Sequence, residues 1–138
     1  MVFVVKLFDA YRIFYRKTSD LVAATKFIGD RLTQNDAVIF LAIDDVHQAV
    51  GFTQLYPSFS STKMQRMWIL NDLYVDQKHR GKGISKRLIN QAKQLCHDTN
   101  ACGLLLETET NNTIGNSLYP AVGFKREINN FYFWSNAV

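Results

Sequence analysis

The sequence predicts an α+β fold in which a central mixed, mostly antiparallel sheet is flanked by helices. Two observations support this prediction. Apolar residues recur every three or four positions near the amino terminus, and successive β-branched and aromatic runs separated by polar turns fill the middle of the chain. Helix-like and strand-like segments then alternate to the carboxyl end, and no internal repeat or low-complexity linker interrupts them.

The first half of the chain predicts two helices followed by a three-stranded meander. Thr18 or Ser19 can cap the second helix, whose buried stripe is expected at Leu21, Ala24, Phe27 or Ile28, and Leu32. A polar turn joins the first two strands, which predicts an antiparallel hairpin, and a polar loop at 57–63 precedes the third. The predicted elements are helices at 4–15 and 20–32 and strands at 37–43, 49–56 and 65–75.

The second half predicts helices that alternate with shorter strands. Its last segment is unusually aromatic for a chain end, and packing against the protein's own sheet is the default expectation. The predicted elements are a helix at 84–96, a strand at 103–109, a short helix at 113–121 and two final strands near 124–127 and 131–134.

Length and composition predict one domain over residues 1–138, because 138 residues with 47% apolar content can bury a core. No apolar run reaches the ~18 residues of a membrane span, and residues 1–5 are too short for a signal peptide. A soluble, cytoplasmic protein is therefore expected. Cys96 and Cys102 show no metal-ligand spacing with a histidine, so reduced, packed cysteines and no metal are predicted.

A glycine-rich basic segment, residues 80–85, follows an apolar strand and precedes a helix. Glycines at Gly81 and Gly83 let the backbone approach an anion, and the helix start adds unpaired N–H groups. Arg80, Lys82, Lys86 and Arg87 add positive charge. The spacing of the two glycines excludes a Walker A loop and a dinucleotide fingerprint.

Three ordered motifs resemble the GNAT superfamily of acetyl-CoA-dependent N-acyltransferases. Arg80-x-x-Gly83-x-Ser85 is similar to its Arg/Gln-x-x-Gly-x-Gly/Ala pyrophosphate motif, with Ser85 in place of the last small residue. The strand end at 73–75 resembles the segment that pairs with the pantetheine arm of the coenzyme. Residues 112–124 resemble the Asn-x-x-Ala-x-x-Leu-Tyr-x-x-x-Gly-Phe segment, with Gly115 in place of Ala.

The resemblance implies a GNAT-like fold with a shortened amino-terminal strand, since GNAT proteins usually begin with a full strand and only residues 1–5 precede the first helix here. It also implies a homodimer, because members commonly dimerise through the carboxyl-terminal region. The residues implied to bind acetyl-CoA are Leu73, Tyr74, Val75, Arg80, Gly81, Lys82, Gly83, Ile84, Ser85 and Asn112. Asn112 is equally expected as a helix N-cap.

The implied reaction needs a base for the acceptor amine and an acid for the departing thiolate. Tyr119 matches the family position of the acid, and the alternative is a packing role on a short helix. Asp72 is the best-placed carboxylate, although the similar spermidine/spermine acetyltransferase branch has an acidic pair where this chain has Asn71 and Asp72. Glu107, Glu109 or a water chain are alternative bases. A backbone N–H near Leu73, freed by a bulge, is implied as the oxyanion donor.

The predicted function is transfer of an acetyl group from acetyl-CoA to a primary amine on a small molecule or a lysine-type side chain. The alternative is a catalytically weak acyl-CoA-binding or partner-docking module. A nucleic-acid-binding domain, suggested by the net charge of +4, is less economical because the basic residues cluster at one coenzyme-sized loop. The acceptor is not specified by the sequence, although Tyr56 and residues 58–61 lie where acceptor-binding elements are often found.

Overall fold

An antiparallel meander of three strands forms the centre of the amino-terminal part of the chain. The computed structural model describes residues 1–137, and the chain divides into two compact units, Met1–Glu107 and Thr108–Val138. The strands of the first unit are β1 (Val38–Ile43), β2 (Ala49–Ser60), β3 (Gln65–Val75) and β4 (Leu104–Leu105). They form a mixed sheet of order β1-β2-β3-β4, antiparallel except between β3 and β4. The α+β fold is therefore confirmed, and the single domain over 1–138 stays a prediction.

Strand β3 has the predicted bounds, whereas β2 and β4 differ from prediction. Strand β2 runs four residues further than expected, so the predicted loop at 57–63 is wrong in its first half. The hairpin partner explains this extension, because Pro57 to Ser60 pair with Trp68 to Gln65. Strand β4 is shorter than the strand predicted at 103–109, because only Trp68 and Ile69 of β3 pair with it.

Two helices, α1 (Val2–Phe14) and α2 (Leu21–Gln34), precede the sheet. The predicted shortened amino-terminal strand is absent from residues 1–137, because the first residues form the opening turn of α1. Val4 and Val5 are buried at helical spacing with Leu7 and Phe8, in a cluster that includes residues of α2 and β2. Full burial of such side chains stabilises by about 1.5–3 kcal/mol each, which favours the helix.

Asp20, and neither Thr18 nor Ser19, caps α2 by accepting a hydrogen bond from the Ala23 N–H at 3.0 Å. The predicted cap is wrong because the Ser19 hydroxyl donates to the buried Asp9 carboxylate at 2.7 Å.

The predicted stripe of α2 is only partly buried. Ala24 and Ile28 are buried, whereas Leu21 and Leu32 are about half exposed.

The two faces of the sheet pack against different helices. Phe52, on β2, belongs to the buried cluster of α1 and α2, and its neighbours Leu41 and Tyr74 pack against that cluster. Gly51 points to the other face, where an added Cβ would lie 3.4 Å from Ile84 at the start of α3 (Ile84–Asp98). Helix α3 buries residues at helical spacing, Leu88, Ile89, Ala92 and Cys96.

The carboxyl-terminal unit contains one helix, α4 (Thr113–Ala121), with the predicted bounds. The predicted strands at 124–127 and 131–134 are wrong, because the described residues from 124 onward have no regular secondary structure. Tyr132 and Phe133 are more than 90% exposed, so these aromatic side chains lack the covered surface on which β propensity depends.

Candidate active site

A β-bulge lies in the middle of β3. Gln54 and Leu55 are consecutive on β2, yet they pair with Asp72 and Leu70, which leaves Asn71 as the extra residue of β3. A bulge was predicted near Leu73, and the structure has it two residues earlier, with Leu73 itself paired to Thr53.

The bulge changes which backbone groups of β3 face away from β2. Before it, Arg66 accepts from the Cys102 N–H at 2.8 Å and the Trp68 N–H donates to Gly103 at 3.1 Å, so even-numbered residues face β4. After it, the Asp76 N–H donates to Val50 at 2.7 Å, so even-numbered residues face β2. Because the direction alternates along a strand, Leu73 and Val75 direct their backbone groups to the edge away from β2.

That edge of β3 is open beyond the bulge. The pairing of β3 with β4 ends at Ile69 and Leu105, and no other strand among residues 1–137 covers Leu73 or Val75. The Val75 carbonyl accepts from Arg80 Nε at 3.0 Å, which agrees with its direction away from β2. Tyr74 differs from its neighbours, because its backbone faces β2 and its ring contacts Tyr11 and Phe14 of α1.

Asp72 is a buried carboxylate beside this edge, with only 3% of its surface exposed. Its Oδ2 accepts from Gln54 Nε2 at 2.6 Å, and its Oδ1 accepts from Asn71 Nδ2 at 3.2 Å. Burial raises the pKa of Asp72 above its ordinary value, although hydrogen bonds from Gln54, Tyr11 and Asn71 act in the opposite direction. A carboxylate with a raised pKa is better able to accept a proton.

Gln54 was not predicted as a site residue. It lies 18 positions from Asp72 in the sequence, and only the β2–β3 register makes them direct neighbours. The one signal in the sequence that could have indicated it is a glutamine placed within an apolar, strand-like run. Its Oε1 is buried and has no hydrogen-bond partner.

Tyr56 follows Gln54 on the same face of β2. Burial raises the pKa of Tyr56 to about 12, and the Asp72 charge acts in the same direction. Its phenol therefore stays protonated at neutral pH.

The predicted loop connects β3 to α3 in the expected manner. A short 3-10 turn, Gln77–His79, precedes it, and the His79 ring lies 3.1 Å from Asp76 and 3.7 Å from Asp44. Gly81 and Gly83 have φ angles of +79° and +78°, which glycine adopts without the strain that other residues incur. No atom lies within 4 Å of a Cβ added at either glycine, so the space beside the loop is open.

The start of α3 offers uncapped backbone donors. Gly83 is the N-cap and supplies no side chain, so the N–H groups of Ile84 and Ser85 at the helix start receive no side-chain cap. Lys82 and Lys86 are exposed beside them. Open space, backbone donors without a side-chain cap and positive charge together fit a phosphate-bearing ligand such as a coenzyme.

Arg80 is exposed, and its guanidinium lies over two aromatic rings. It lies 5.3 Å from the Phe14 ring centroid and 5.6 Å from that of Tyr74. Arg80 therefore connects the end of β3 to α1.

The other predicted site residues lie in the carboxyl-terminal unit. Asn112 caps α4 by accepting from the Gly115 N–H at 3.1 Å, which confirms the predicted N-cap role, and it donates to Thr108 at 2.9 Å. A Cβ at Gly115 would lie 2.6 Å from Asn112 Nδ2, so glycine suits this position. Tyr119 is half-buried, and its ring is 5.8 Å from that of Phe124.

The structure brings Asp72, Leu73, Val75 and the glycine loop together along β3 and its continuation. The alternative bases differ from their predicted setting, because β4 ends at Leu105 before Glu107 and Glu109. Their predicted roles and those of Tyr119 and Asn112 stay predictions. Within residues 1–137, no group of three metal-ligating side chains and no helix able to span a membrane is found.

Comparison with known proteins gives consistent matches. Residues 35–126 match the model of an acetyltransferase (GNAT) domain. The chain is 43% identical over 121 residues to an uncharacterised N-acetyltransferase, YhfO, of Bacillus subtilis strain 168, covering 88% of this chain and 80% of that protein. A probable acetyltransferase of Haemophilus influenzae is 33% identical, covering 86% of this chain and 80% of that protein.

A solved structure supports the same relationship. The crystal structure of a probable acetyltransferase superposes with a TM-score of 0.87 at 36% sequence identity. The superposition covers 98% of this chain and 89% of that one.

Proposed function

The chain belongs to the GNAT acetyltransferase family, and we propose that it transfers an acetyl group from acetyl-CoA to a primary amine by direct attack. The observation that carries this proposal is the buried Asp72 carboxylate beside the open edge of β3, on the strand that leads into the glycine loop. The proposed base, backbone donor and anion site all lie on one continuous segment, residues 72–85.

Asp72 is proposed to accept the proton of the acceptor amine. An alkylammonium with a pKa near 10.4 is only about one part in a thousand neutral at pH 7, which costs roughly 4–5 kcal/mol. Burial raises the pKa of Asp72, and a buried carboxylate also favours a nearby cation. The same group can therefore attract the ammonium ion and take its proton.

Leu73 and Tyr119 are proposed to act on the acyl donor. When bound, acetyl-CoA supplies an activated thioester. The Leu73 N–H, directed to the open edge, is suited to donate to a carbonyl oxygen that gains negative charge. The Tyr119 phenol has an O–H that can donate its proton to a thiolate.

Donor binding is assigned to the end of β3, the loop and the start of α3. We propose that Gly81, Gly83, Ile84 and Ser85 offer backbone N–H groups to the pyrophosphate, with Lys82 and Arg80 nearby. Asn112 is proposed as a further contact. Leu73, Tyr74 and Val75 are proposed to flank the pantetheine arm.

Polyamines are the first acceptors to examine, because the Asn71 to Val75 segment is similar to the spermidine/spermine branch. Lysine-type amines and small amino sugars are the further acceptors to examine. The proposed location is the cytoplasm, in keeping with the free thiols of Cys96 and Cys102.

The experiment is a thiol-release assay with acetyl-CoA and a panel of primary amines. The parent protein is expected to release thiol in proportion to the amine, and Tyr119→Phe to lower kcat by about 100-fold because the general acid is removed. Tyr132→Phe, at a position 92% exposed, is the matched control and should be unchanged. Acetyl-CoA binding without amine-dependent release would instead favour the non-catalytic acyl-CoA-binding module.

A further inference from the structure

Gln54 has an unusual hydrogen-bonding arrangement for a fully buried side chain. It is 0% exposed, its Nε2 donates to Asp72 Oδ2 at 2.6 Å, and its Oε1 has no partner. A buried acceptor without a partner is costly, and such atoms are rare in folded proteins. The carboxamide nitrogen thus has a hydrogen-bond partner, whereas the carboxamide oxygen has none.

The unsatisfied oxygen becomes understandable if Asp72 exchanges a proton. An ionised carboxylate only accepts hydrogen bonds, and Gln54 meets it with Nε2. A protonated carboxyl also has an O–H to donate, and a carboxamide rotated by about 180° presents its oxygen as the acceptor. One glutamine can therefore hydrogen-bond both the ionised and the protonated form of Asp72. An apolar side chain could bond neither form, and a lysine has no acceptor for the protonated form.

We propose that Gln54 is a positioning residue that serves Asp72 in both protonation states, donating from Nε2 to the carboxylate and accepting through Oε1 from the protonated acid. This inference rests on the proposed function for its role in acetyl transfer. The proton that leaves the amine nitrogen bonds to Asp72 Oδ2, and the electron pair of the broken N–H bond stays on nitrogen. The carboxamide of Gln54 then turns its oxygen to the new O–H.

Among the groups that surround Asp72, Gln54 is the strongest hydrogen-bond donor to its carboxylate. From α1, the Tyr11 hydroxyl acts to lower the pKa of Asp72 and donates to the Asn71 carbonyl at 3.4 Å. From the bulge, Asn71 Nδ2 donates to Asp72 Oδ1 at a longer 3.2 Å. From β2, Tyr56 lies close enough for the Asp72 charge to influence it, and Arg31 and Asp36 act on Tyr56 from beyond. Arg31 and Asp36 form their own pair at 2.8 Å, so they add little net charge.

A proton-coupled rotation can be measured directly by nuclear magnetic resonance on the unmodified protein. The Asp72 Cγ and Gln54 Cδ resonances are followed against pH, with Gln54→Met used only for assignment. We expect the Cδ resonance to move downfield as Asp72 gains its proton, because Oε1 gains a hydrogen bond. In Asp72→Asn the Cδ resonance should be constant. A Cδ resonance that stays constant while Asp72 titrates in the unmodified protein would overturn the proposal.

The role in acetyl transfer is tested by the pH profile of kcat/KM with spermidine as the amine. Gln54→Met should move the acid limb to higher pH by up to about one unit, because the bond from Nε2 to the charged carboxylate is stronger than the bond that Oε1 accepts from the neutral acid, and its loss therefore raises the pKa of Asp72. Gln94→Met is the matched control, since Gln94 donates to Asp98 at 2.8 Å on the exposed surface of α3. Its profile should equal that of the parent.

Further outcomes separate this inference from the proposed function. If Gln54→Met does not fold, Gln54→Glu keeps the shape and should move the acid limb upward, because adjacent carboxylates share a proton. An active enzyme whose Gln54 variants keep the parent profile overturns the role of Gln54 and leaves the proposed function intact. If Asp72 Cγ and Gln54 Cδ titrate together but no amine is acetylated, the hydrogen-bond exchange between Gln54 and Asp72 is supported and the proposed function is contradicted.

Discussion

At the scale of single residues, the central feature is the buried Asp72 carboxylate and its 2.6 Å hydrogen bond from Gln54. Asp72 stands out because it precedes the strand end that resembles a coenzyme-binding segment. Its partner Gln54 could not be found in the same way, because the contact depends on the register of two strands and on the bulge at Asn71. Contacts between distant positions are fixed by the sheet, which single-sequence periodicity does not describe.

The burial of Asp72 predicts that activity and stability oppose each other at this position. A carboxyl group whose pKa is raised by folding favours the folded state below its unfolded pKa, and this stability is lost as pH rises through the folded pKa. Asp72→Asn removes the buried charge and keeps an oxygen for Gln54 Nε2. The variant should therefore have a higher Tm than the parent at pH 7, with a smaller difference at pH 3, and much lower kcat.

Thermal denaturation at both pH values measures this effect, and each 1 kcal/mol corresponds to about 4 °C in Tm for a chain of this length. Asp98→Asn, at an exposed position on α3, serves as the comparison. An Asp72→Asn protein that is less stable than the parent at pH 7 would show that the carboxylate is needed for packing.

At the scale of secondary structure elements, the bounds of β3 and α4 followed directly from sequence. Each has a strong local signal, a long apolar run with turn residues before it for β3 and an Asn112 cap for α4. The final segments at 124–127 and 131–134 have β propensity but no strand partner in the described structure. Propensity predicts a strand only where another strand and a covered face are available, and sequence alone does not supply that information.

The glycine loop predicts a second effect at this scale. Gly83→Ala places a Cβ on a residue with φ of +78°, which should cost about 1–2 kcal/mol even though no atom lies within 4 Å. Gly103→Ala also has open space but no positive φ, so it should be nearly neutral. Urea denaturation measures both variants, and equal stabilities would contradict the assigned backbone conformation.

At the scale of the whole molecule, the donor site predicts that acetyl-CoA stabilises the fold. A ligand at 100 times its Kd adds about 2.7 kcal/mol to the free energy of unfolding. The double variant Arg80→Glu with Lys82→Glu should lose this ligand-dependent rise in Tm, because both charges beside the proposed pyrophosphate site are reversed.

The double variant Lys17→Glu with Lys63→Glu makes the same change in net charge at exposed positions elsewhere. It should keep the rise in Tm. An undiminished rise in Tm with acetyl-CoA in the Arg80→Glu with Lys82→Glu variant would contradict binding of the coenzyme at the loop.

Assembly is a separate prediction at this scale. Exposed aromatic residues near the carboxyl end, among them Phe133 and Trp134, are the kind of apolar surface that a partner chain covers. We therefore expect a homodimer by light scattering at micromolar protein, and a monomeric mass would contradict this expectation.

The most direct measurement follows the acetyl group itself. The protein is incubated with acetyl-CoA that carries an isotopically labelled acetyl group and with each amine, and the amines are analysed by mass spectrometry. We expect a labelled N-acetyl amine in an amount equal to the thiol released, with far less product from Asp72→Asn. Thiol release without a labelled amine, or no product from any amine, would contradict it.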